Sequence, residues 1–330
     1  MSVALGSGRQ PRPRLLRGGT AIGRALRPIA EAHGFARAML WSGAALTAFF
    51  VVLAIFAPWL SPYGFDQYRS GKELFPQLAP PSARHLLGTN VQSTDVLAQV
   101  IWGARTELMV VALALLFALS LGVPLGLFAG YFGGIFDRVL VLLMDAMFAI
   151  PSLLLALVIA FLLGSSIASG VLVASLAITI IYVPQYFRVL RNHVASVREE
   201  PYVEAARALG ARPLTILIRY IFFNVIQTVP VLATLNAADA ILTLTGLGFL
   251  GYGVQPTQGA EWGYDISRAV ADVASGIWWT ALFPGLAIVL LVTGLTLLGE
   301  GLNETINPVL RQRATAKVEF EATTLEPGGP

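Results

Sequence analysis

The sequence has no cysteine, only two lysines (Lys72 and Lys317) and three histidines, and charged residues make up just 12% of its 330 positions. Without cysteine there can be no disulfide, thiolate metal site or cysteine nucleophile. The histidines (His33, His85, His193) fall in separate segments and no His-x-x-x-His or Glu-x-x-His spacing occurs, so no metal site is expected. A phosphate-cradling loop needs Gly-x4-Gly-Lys-[Ser/Thr]. Lys72 follows Gly71, but Glu73 comes next and Asp66 stands where the first glycine belongs; Lys317 fits no better. No Gly-x-Ser-x-Gly elbow is present either. No catalytic residue and no cofactor are therefore assigned, and the chain reads as a conduit powered from elsewhere.

The low charge is matched by an excess of apolar residues. They make up 56% of the chain, and mean hydropathy is +0.71. An ordinary soluble domain is about 25% charged. So little polar surface cannot cover a globule in water, and the bilayer is the expected solvent.

A span of ~30 Å needs about 20 apolar residues at ~1.5 Å each. Six runs qualify: Met39–Leu60, Leu108–Gly130, Val139–Gly164 with Pro151 inside it, Ser169–Phe187, Ile221–Leu247 and Trp278–Leu298. The predicted fold is an all-α integral membrane bundle of about six transmembrane helices, with both termini cytoplasmic. Its expected divisions are a basic cytoplasmic tail (1–38), a first helix (39–60), an external loop (61–105), a five-helix core (106–308) and a loose cytoplasmic tail (309–330).

Charge supports this orientation. The proposed inner segments hold 17 of the 22 basic residues, including seven arginines in residues 1–38. That asymmetry follows the positive-inside rule. An Arg-rich, acid-poor start is also compatible with an organelle transit peptide. No secretory signal is recognised, because the first apolar run is long and lacks a cleavage site. Trp41, Trp59, Tyr63, Trp102, Tyr131, Trp278 and Trp279 fall where interfacial anchors belong.

The inner segment 199–213 carries the functional signal. Pro201 suits the first helical position. Glu199 and Glu200 lie by the positive end of the dipole. Gly210 suits the left-handed stop. Val203, Ala206 and Leu209 recur at three-residue spacing and predict one small apolar face. So short a helix needs a partner to pack on. It is either a connector on the membrane surface or a docking element for a cytoplasmic protein.

Glu204-Ala205-Ala206, three residues, then Gly210 resembles the EAA loop of ABC importer permeases. Other stretches are similar to the C-type permease of the dipeptide, oligopeptide and nickel importers. They include His85-Leu-Leu-Gly-Thr89, Asp95-Val-Leu97, Gly103-Ala-Arg105, Gly130-Tyr-Phe-Gly-Gly134, Gly248-Phe-Leu-Gly-Tyr-Gly-Val-Gln-Pro256, Trp262-Gly263 and Leu282-Phe-Pro-Gly285. The resemblance runs over about residues 40–308. It implies that Glu204, Ala205, Ala206, Arg207 and Gly210 form a coupling helix seated on an ATPase. It also implies several partners: a second permease subunit in a heterodimer, cytoplasmic ATP-binding subunits and an extracytoplasmic solute-binding protein. The implied setting is a bacterial-type inner membrane, with lipid around the chain and no nucleic acid. Di- or oligopeptides are the implied cargo, with nickel and glutathione-like solutes open. A self-sufficient ion-coupled transporter is the rival class, although no internal repeat is visible.

The sequence departs from the family pattern in places. Ile221-Phe222-Phe223-Asn224 lacks the usual proline, which predicts a less bent start to the fifth span. Asp145 and Asp239 lie inside apolar runs, where a charge is costly and faces the bundle, a partner or water. They are either substrate-path residues or members of interhelical hydrogen bonds and ion pairs.

Overall fold

The computed structural model describes residues 34–306; the expected tail 309–330 and residues 1–33 of the expected tail 1–38 lie outside that range. Helix α1 (Gly34–Leu60) leads to a loop holding a two-stranded antiparallel hairpin, β1 (Arg69–Ser70) and β2 (Glu73–Leu74). Helix α2 (Val96–Phe132) follows, then α3 (Gly134–Phe148), α4 (Ser152–Gly164), α5 (Gly170–Val197) and the short α6 (Pro201–Ala208). The long rod α7 (Pro213–Phe249), α8 (Trp262–Ala274) and α9 (Trp279–Ile306) complete the bundle. Among the described residues, α1, α2, α5, α7 and α9 are long and apolar enough to cross a bilayer, and α3 with α4 makes a sixth crossing if counted as one.

That sixth crossing corrects the expected third span. It is not one rod: α3 and α4 meet at a bend of 95° around Ala149–Pro151. Proline removes a backbone donor and pushes the preceding residue out of the helical region. Few contacts straighten the break, and side chains such as Ile135 and Leu142 are 79% and 73% exposed.

A second correction concerns residues 96–105, expected in the external loop. They form the first turns of α2 instead. The Asp95 side chain accepts the Ala98 backbone N–H at 2.8 Å and starts the helix. Hydropathy misses this segment because Gln99, Arg105 and Glu107 dilute the apolar signal. At 37 residues α2 is ~55 Å long, so it projects beyond a ~30 Å hydrocarbon layer.

Helix α2 packs most extensively against α5. Gly122, Gly126 and Gly130 make this possible, since they recur every fourth residue on one face of α2. A methyl group at Gly126 would lie 2.7 Å from the Phe187 carbonyl oxygen, and one at Gly130 would lie 2.6 Å from that of Arg191. Small residues let backbones approach where lipid supplies no hydrophobic drive between helices. Ser175 and Thr179 then hydrogen-bond across to the α2 carbonyls of Val110 and Ala114, each at 3.2 Å.

At the α6 end, two arginines of α5 and Arg198, just past its last residue, hold the α2–α3 corner. Arg188 pairs with Asp145 at 2.8 Å. Arg191 makes a two-pronged pair with Asp137, one arm at 2.7 Å. Arg198 donates to the Tyr131 carbonyl at 3.2 Å. At the opposite end, His85 and Asp95 form a buried pair at 2.8 Å, and the Trp279 indole N–H donates to the Thr89 carbonyl at 3.1 Å. These contacts join the 61–95 loop to α2 and α9.

Candidate functional site

The segment 199–213 folds as its chemistry predicts at both ends. Pro201 opens α6. The helix closes with a paired turn: the Ala211 N–H reaches the Ala206 carbonyl at 3.1 Å and the Gly210 N–H reaches that of Arg207 at 3.0 Å. This closure needs a left-handed residue, and Gly210 supplies it at φ +79°.

The expected apolar face is only partly formed. Val203 and Ala206 are buried in a cluster with Leu190, Val194, Ile216 and Ile221. Leu209 is 89% exposed. It lies past the last helical residue, where the chain turns toward Gly210, so spacing that holds inside a helix no longer places it. The rod is therefore attached by two side chains, and Glu204, Ala205, Arg207, Leu209 and Gly210 face outward. Burying Val203 stabilises this attachment by about 1.5–3 kcal/mol. An exposed leucine therefore lies beside exposed charges on a rod anchored to the bundle core.

A side-chain hydrogen bond also links α6 to a span. The Asn224 amide donates to the Tyr202 hydroxyl at 2.9 Å, tying α6 to α7. In α7, residues Ile216–Phe222 are π-helical and Ile226–Thr228 form a 3-10 turn. The rod runs on without a large break and without the proline of the family pattern, but its winding is irregular just where α6 docks.

The two intramembrane acids have different surroundings. Asp145 lies in α3, paired with Arg188, whose guanidinium also covers the Phe148 ring at 4.1 Å. Asp239 lies in α7 and accepts the Tyr182 hydroxyl at 2.7 Å. Both acids thus have interhelical partners. Asp239 is nonetheless exposed while its neighbours Ala238 and Ala240 are buried.

Residues 122–312 match the family described as binding-protein-dependent transport system inner membrane component, and residues 37–81 match the N-terminal TM domain of oligopeptide transport permease C. The chain belongs to the ABC importer permeases, as a C-type subunit of the peptide transport family. It is 43% identical over 267 residues to the dipeptide transport system permease protein DppC of Escherichia coli K12, covering 79% of this chain and 85% of that one. Identity to the di/tripeptide transport system permease protein DppC of Pseudomonas aeruginosa is 37% over 271 residues (80% and 86%). Identity to the glutathione transport system permease protein GsiD of Shigella flexneri is 34% over 273 residues (83% and 87%). This ABC permease is a multi-pass inner-membrane component, and ATP hydrolysis belongs to a separate subunit. Family membership replaces the gradient-driven alternative. It also places the chain in an assembly with an ATPase, a binding protein and a partner permease.

Two further features of this permease differ in how far the sequence announces them. Glu261 caps α8, its carboxylate accepting the N–H groups of Gly263 and Tyr264 at 2.8 Å each. Burial raises this carboxyl to about 7 even though both backbone donors lower it. Glu107 of α2 is fully buried behind it, with no hydrogen-bond donor to either oxygen among the described residues. Glu107 and Glu261 are far apart in the sequence, so nothing local announces the pair. The second is the four-residue glycine repeat from Gly122 to Gly130, whose spacing is visible in the sequence and signals close helix approach.

Proposed function

We propose that this chain carries di- or oligopeptides inward, forming half of the path with a second, non-identical permease subunit. The loop between α1 and α2 lies outside with α8, and α6 lies in the cytoplasm with both termini. The basic-residue asymmetry of 17 in 22 supports that orientation. The single observation that carries the mechanism is α6 itself: an eight-residue rod held to the bundle by Val203 and Ala206, with Glu204, Ala205, Arg207 and Gly210 on or beside its free face.

ATP binding in a cytoplasmic subunit moves this rod. Because Val203 and Ala206 share a buried cluster with side chains of α2, α5 and α7, the displacement passes to these spans. The two acids are assigned separately. Asp239, held by Tyr182, faces the path and meets the cationic end of the solute. Asp145 is placed at the cytoplasmic mouth, where Arg188 limits it to orientation of α3. The relatives carrying dipeptide and di/tripeptide names support peptide cargo. The glutathione relative supports a γ-linked tripeptide as a second reading.

The test is reconstitution. The chain is placed in liposomes with its partner permease, ATPase and binding protein, and labelled dialanine and glutathione are offered separately. ATP-dependent uptake of dialanine supports the reading. Uptake of glutathione alone selects the second. Solute pumping by this chain without companions, or labelling of α6 from the outside of intact cells, refutes the assignment.

A further inference from the structure

Glu107 and Glu261 form a carboxyl pair that takes no part in the proposed path. The segment Glu261-Trp262-Gly263 is inserted between α2 and the last turns of α7. Glycines make the room. A methyl group at Gly103 of α2 would overlap the Trp262 indole, and one at Gly248 of α7 would overlap the Glu261 carboxylate. The indole N–H donates to the Val100 carbonyl at 3.2 Å, which fixes the segment to α2. Within this packing Glu261 is 2% exposed and Glu107 of α2, which faces it, is 0% exposed.

The two acids are not equivalent. Each Glu261 oxygen accepts a backbone N–H, from Gly263 and from Tyr264, at 2.8 Å. Those donors favour negative charge on Glu261. Neither Glu107 oxygen receives a hydrogen bond; the Trp262 backbone N–H faces the side chain without making one. No cation compensates. Arg105 is exposed over the Trp102 ring, and Arg268 directs its Nε to the Tyr264 hydroxyl. Neither arginine makes an ion pair among the described residues, and no three His, Asp or Glu side chains there are placed to hold a metal ion. Two buried carboxylates side by side cannot both be charged, and such pairs share a proton. An acid O–H on Glu107 supplies the missing donor and aims it at a charged acceptor. We infer that Glu107 stays protonated at neutral pH and donates to the Glu261 carboxylate, so that one shared proton bolts α8 to α2. Glu107 is thus a positioning residue, acting on α8 through the side chain that caps it. This holds whichever solute is carried.

The other charged groups around the pair leave this assignment in place. From α8, Asp265 faces Glu107, and burial with the neighbouring Glu261 pushes its carboxyl well above the usual carboxylate range, so it adds no second charge. Asp272 lies further along α8 with a buried, unpartnered oxygen. From the loop come Asp66, on the rim of the groove beside Glu261, and the His85–Asp95 pair at the start of α2. The facing parts of α1, α7 and α9 carry no charged residue within Ala38–Phe65, Ala240–Ala260 or Trp279–Gly299. Glu261 itself is raised to about 7. The pair therefore holds two protons in mild acid and one above neutrality.

Infrared spectroscopy on the assembled importer, with carbon-13 glutamate in this subunit alone, tests the inference. The label separates protonated glutamates from buried aspartates. At pH 8 the wild type should show the isotope-shifted C=O band of one protonated carboxyl, and Glu107→Gln should lose it. Lowering the pH to 6 should roughly double the wild-type band as Glu261 gains its proton. Glu107→Gln keeps a donor facing Glu261 and should melt close to wild type, whereas Glu261→Gln loses an acceptor for one α8 N–H and should melt several degrees lower. Glu107→Leu fills the space without a donor, so uptake should fall severalfold while Glu107→Gln retains it. Absence of a protonated-glutamate band at pH 8, a band that survives Glu107→Gln, or a Glu107→Gln importer as unstable as Glu261→Gln overturns the inference. The wild-type spectrum decides even where a variant fails to assemble. The band in an importer that carries no peptide keeps the shared proton and removes the peptide assignment; peptide uptake without the band does the reverse.

Discussion

The Tyr182 hydroxyl donates to the Asp239 carboxylate at 2.7 Å across the seam between α5 and α7, yet the carboxylate it holds remains open on its other side. Tyr182 is fully buried, so its hydroxyl is positioned by packing and the acid is positioned by the hydroxyl. An exposed carboxylate at mid-span is costly against lipid and is sustained by water or a bound cation. Asp239→Ala is expected to lower peptide uptake at least tenfold with normal membrane insertion. Tyr182→Phe should lower it severalfold, by loss of one charge-assisted hydrogen bond of about 1.5–3 kcal/mol. Uptake measured in vesicles with matched protein levels decides this; unchanged transport in Asp239→Ala removes the residue from the path.

Gly210 makes the closing turn of α6 at φ +79°. Proline is locked near −65° and cannot follow it. Gly210→Pro should leave ATP hydrolysis by the assembled importer running while peptide uptake falls to background. Gly210→Ala, at a cost of roughly 1–2 kcal/mol for the left-handed conformation, should show partial uncoupling. The ratio of ATP hydrolysed to peptide accumulated is the measurement, and a wild-type ratio in Gly210→Pro contradicts the coupling role.

Gly126 stands where α2 crosses α5, with the Phe187 carbonyl 2.7 Å from the position a methyl group would take. Gly126→Val forces two backbones apart. Overpacking of this kind costs about 1–3 kcal/mol or more. Thermal unfolding of the purified subunit in detergent should shift downward by several degrees, and a melting curve that matches wild type would show that the helices have slack.

The Arg191–Asp137 pair joins α5 to α3 with side chains 31% and 14% exposed. Partial burial lets the charges interact more strongly than a surface pair, while removing one partner strands the other. A double-mutant cycle of Arg191→Gln and Asp137→Asn should give a coupling of about 1–2 kcal/mol. Each single variant is expected to be less stable than the double. Additive effects in thermal unfolding would mean that the pair does not hold the corner.

Glu261 is raised from an ordinary 4.5 to about 7 by burial. The folded protein keeps this proton over a range where the unfolded chain has released it. Its contribution to stability is therefore fully present below about 4.5 and is lost as pH rises through about 7. The melting temperature should fall between pH 5 and pH 8 and then level off. Glu261→Gln should flatten that slope, which fluorescence-monitored unfolding across the range will detect.

Much of this molecule is legible in its residues. Pro201 and Gly210 mark both ends of α6 because helix starts and stops are decided by nearby backbone chemistry. The apolar runs locate the spans, since lipid imposes one length on all of them. Three-residue spacing does not place Leu209, because the helix ends at Ala208 and the chain turns into Gly210. Hydropathy does not reveal the start of α2, because the cap at Asp95 sets it where the apolar signal is weak.

What the chain determines alone is therefore its solvent, its number of apolar runs and the local shape of α6. These follow from transfer free energy and from backbone dihedrals, which depend on neighbours within a few positions. Only the tertiary structure decided that Val139–Gly164 breaks into two helices, that Asp239 meets Tyr182, and that Glu107 is buried behind Glu261 with no hydrogen-bond donor among the described residues. Those outcomes depend on contacts between segments tens to hundreds of residues apart, and burial there follows from the packing of the whole bundle.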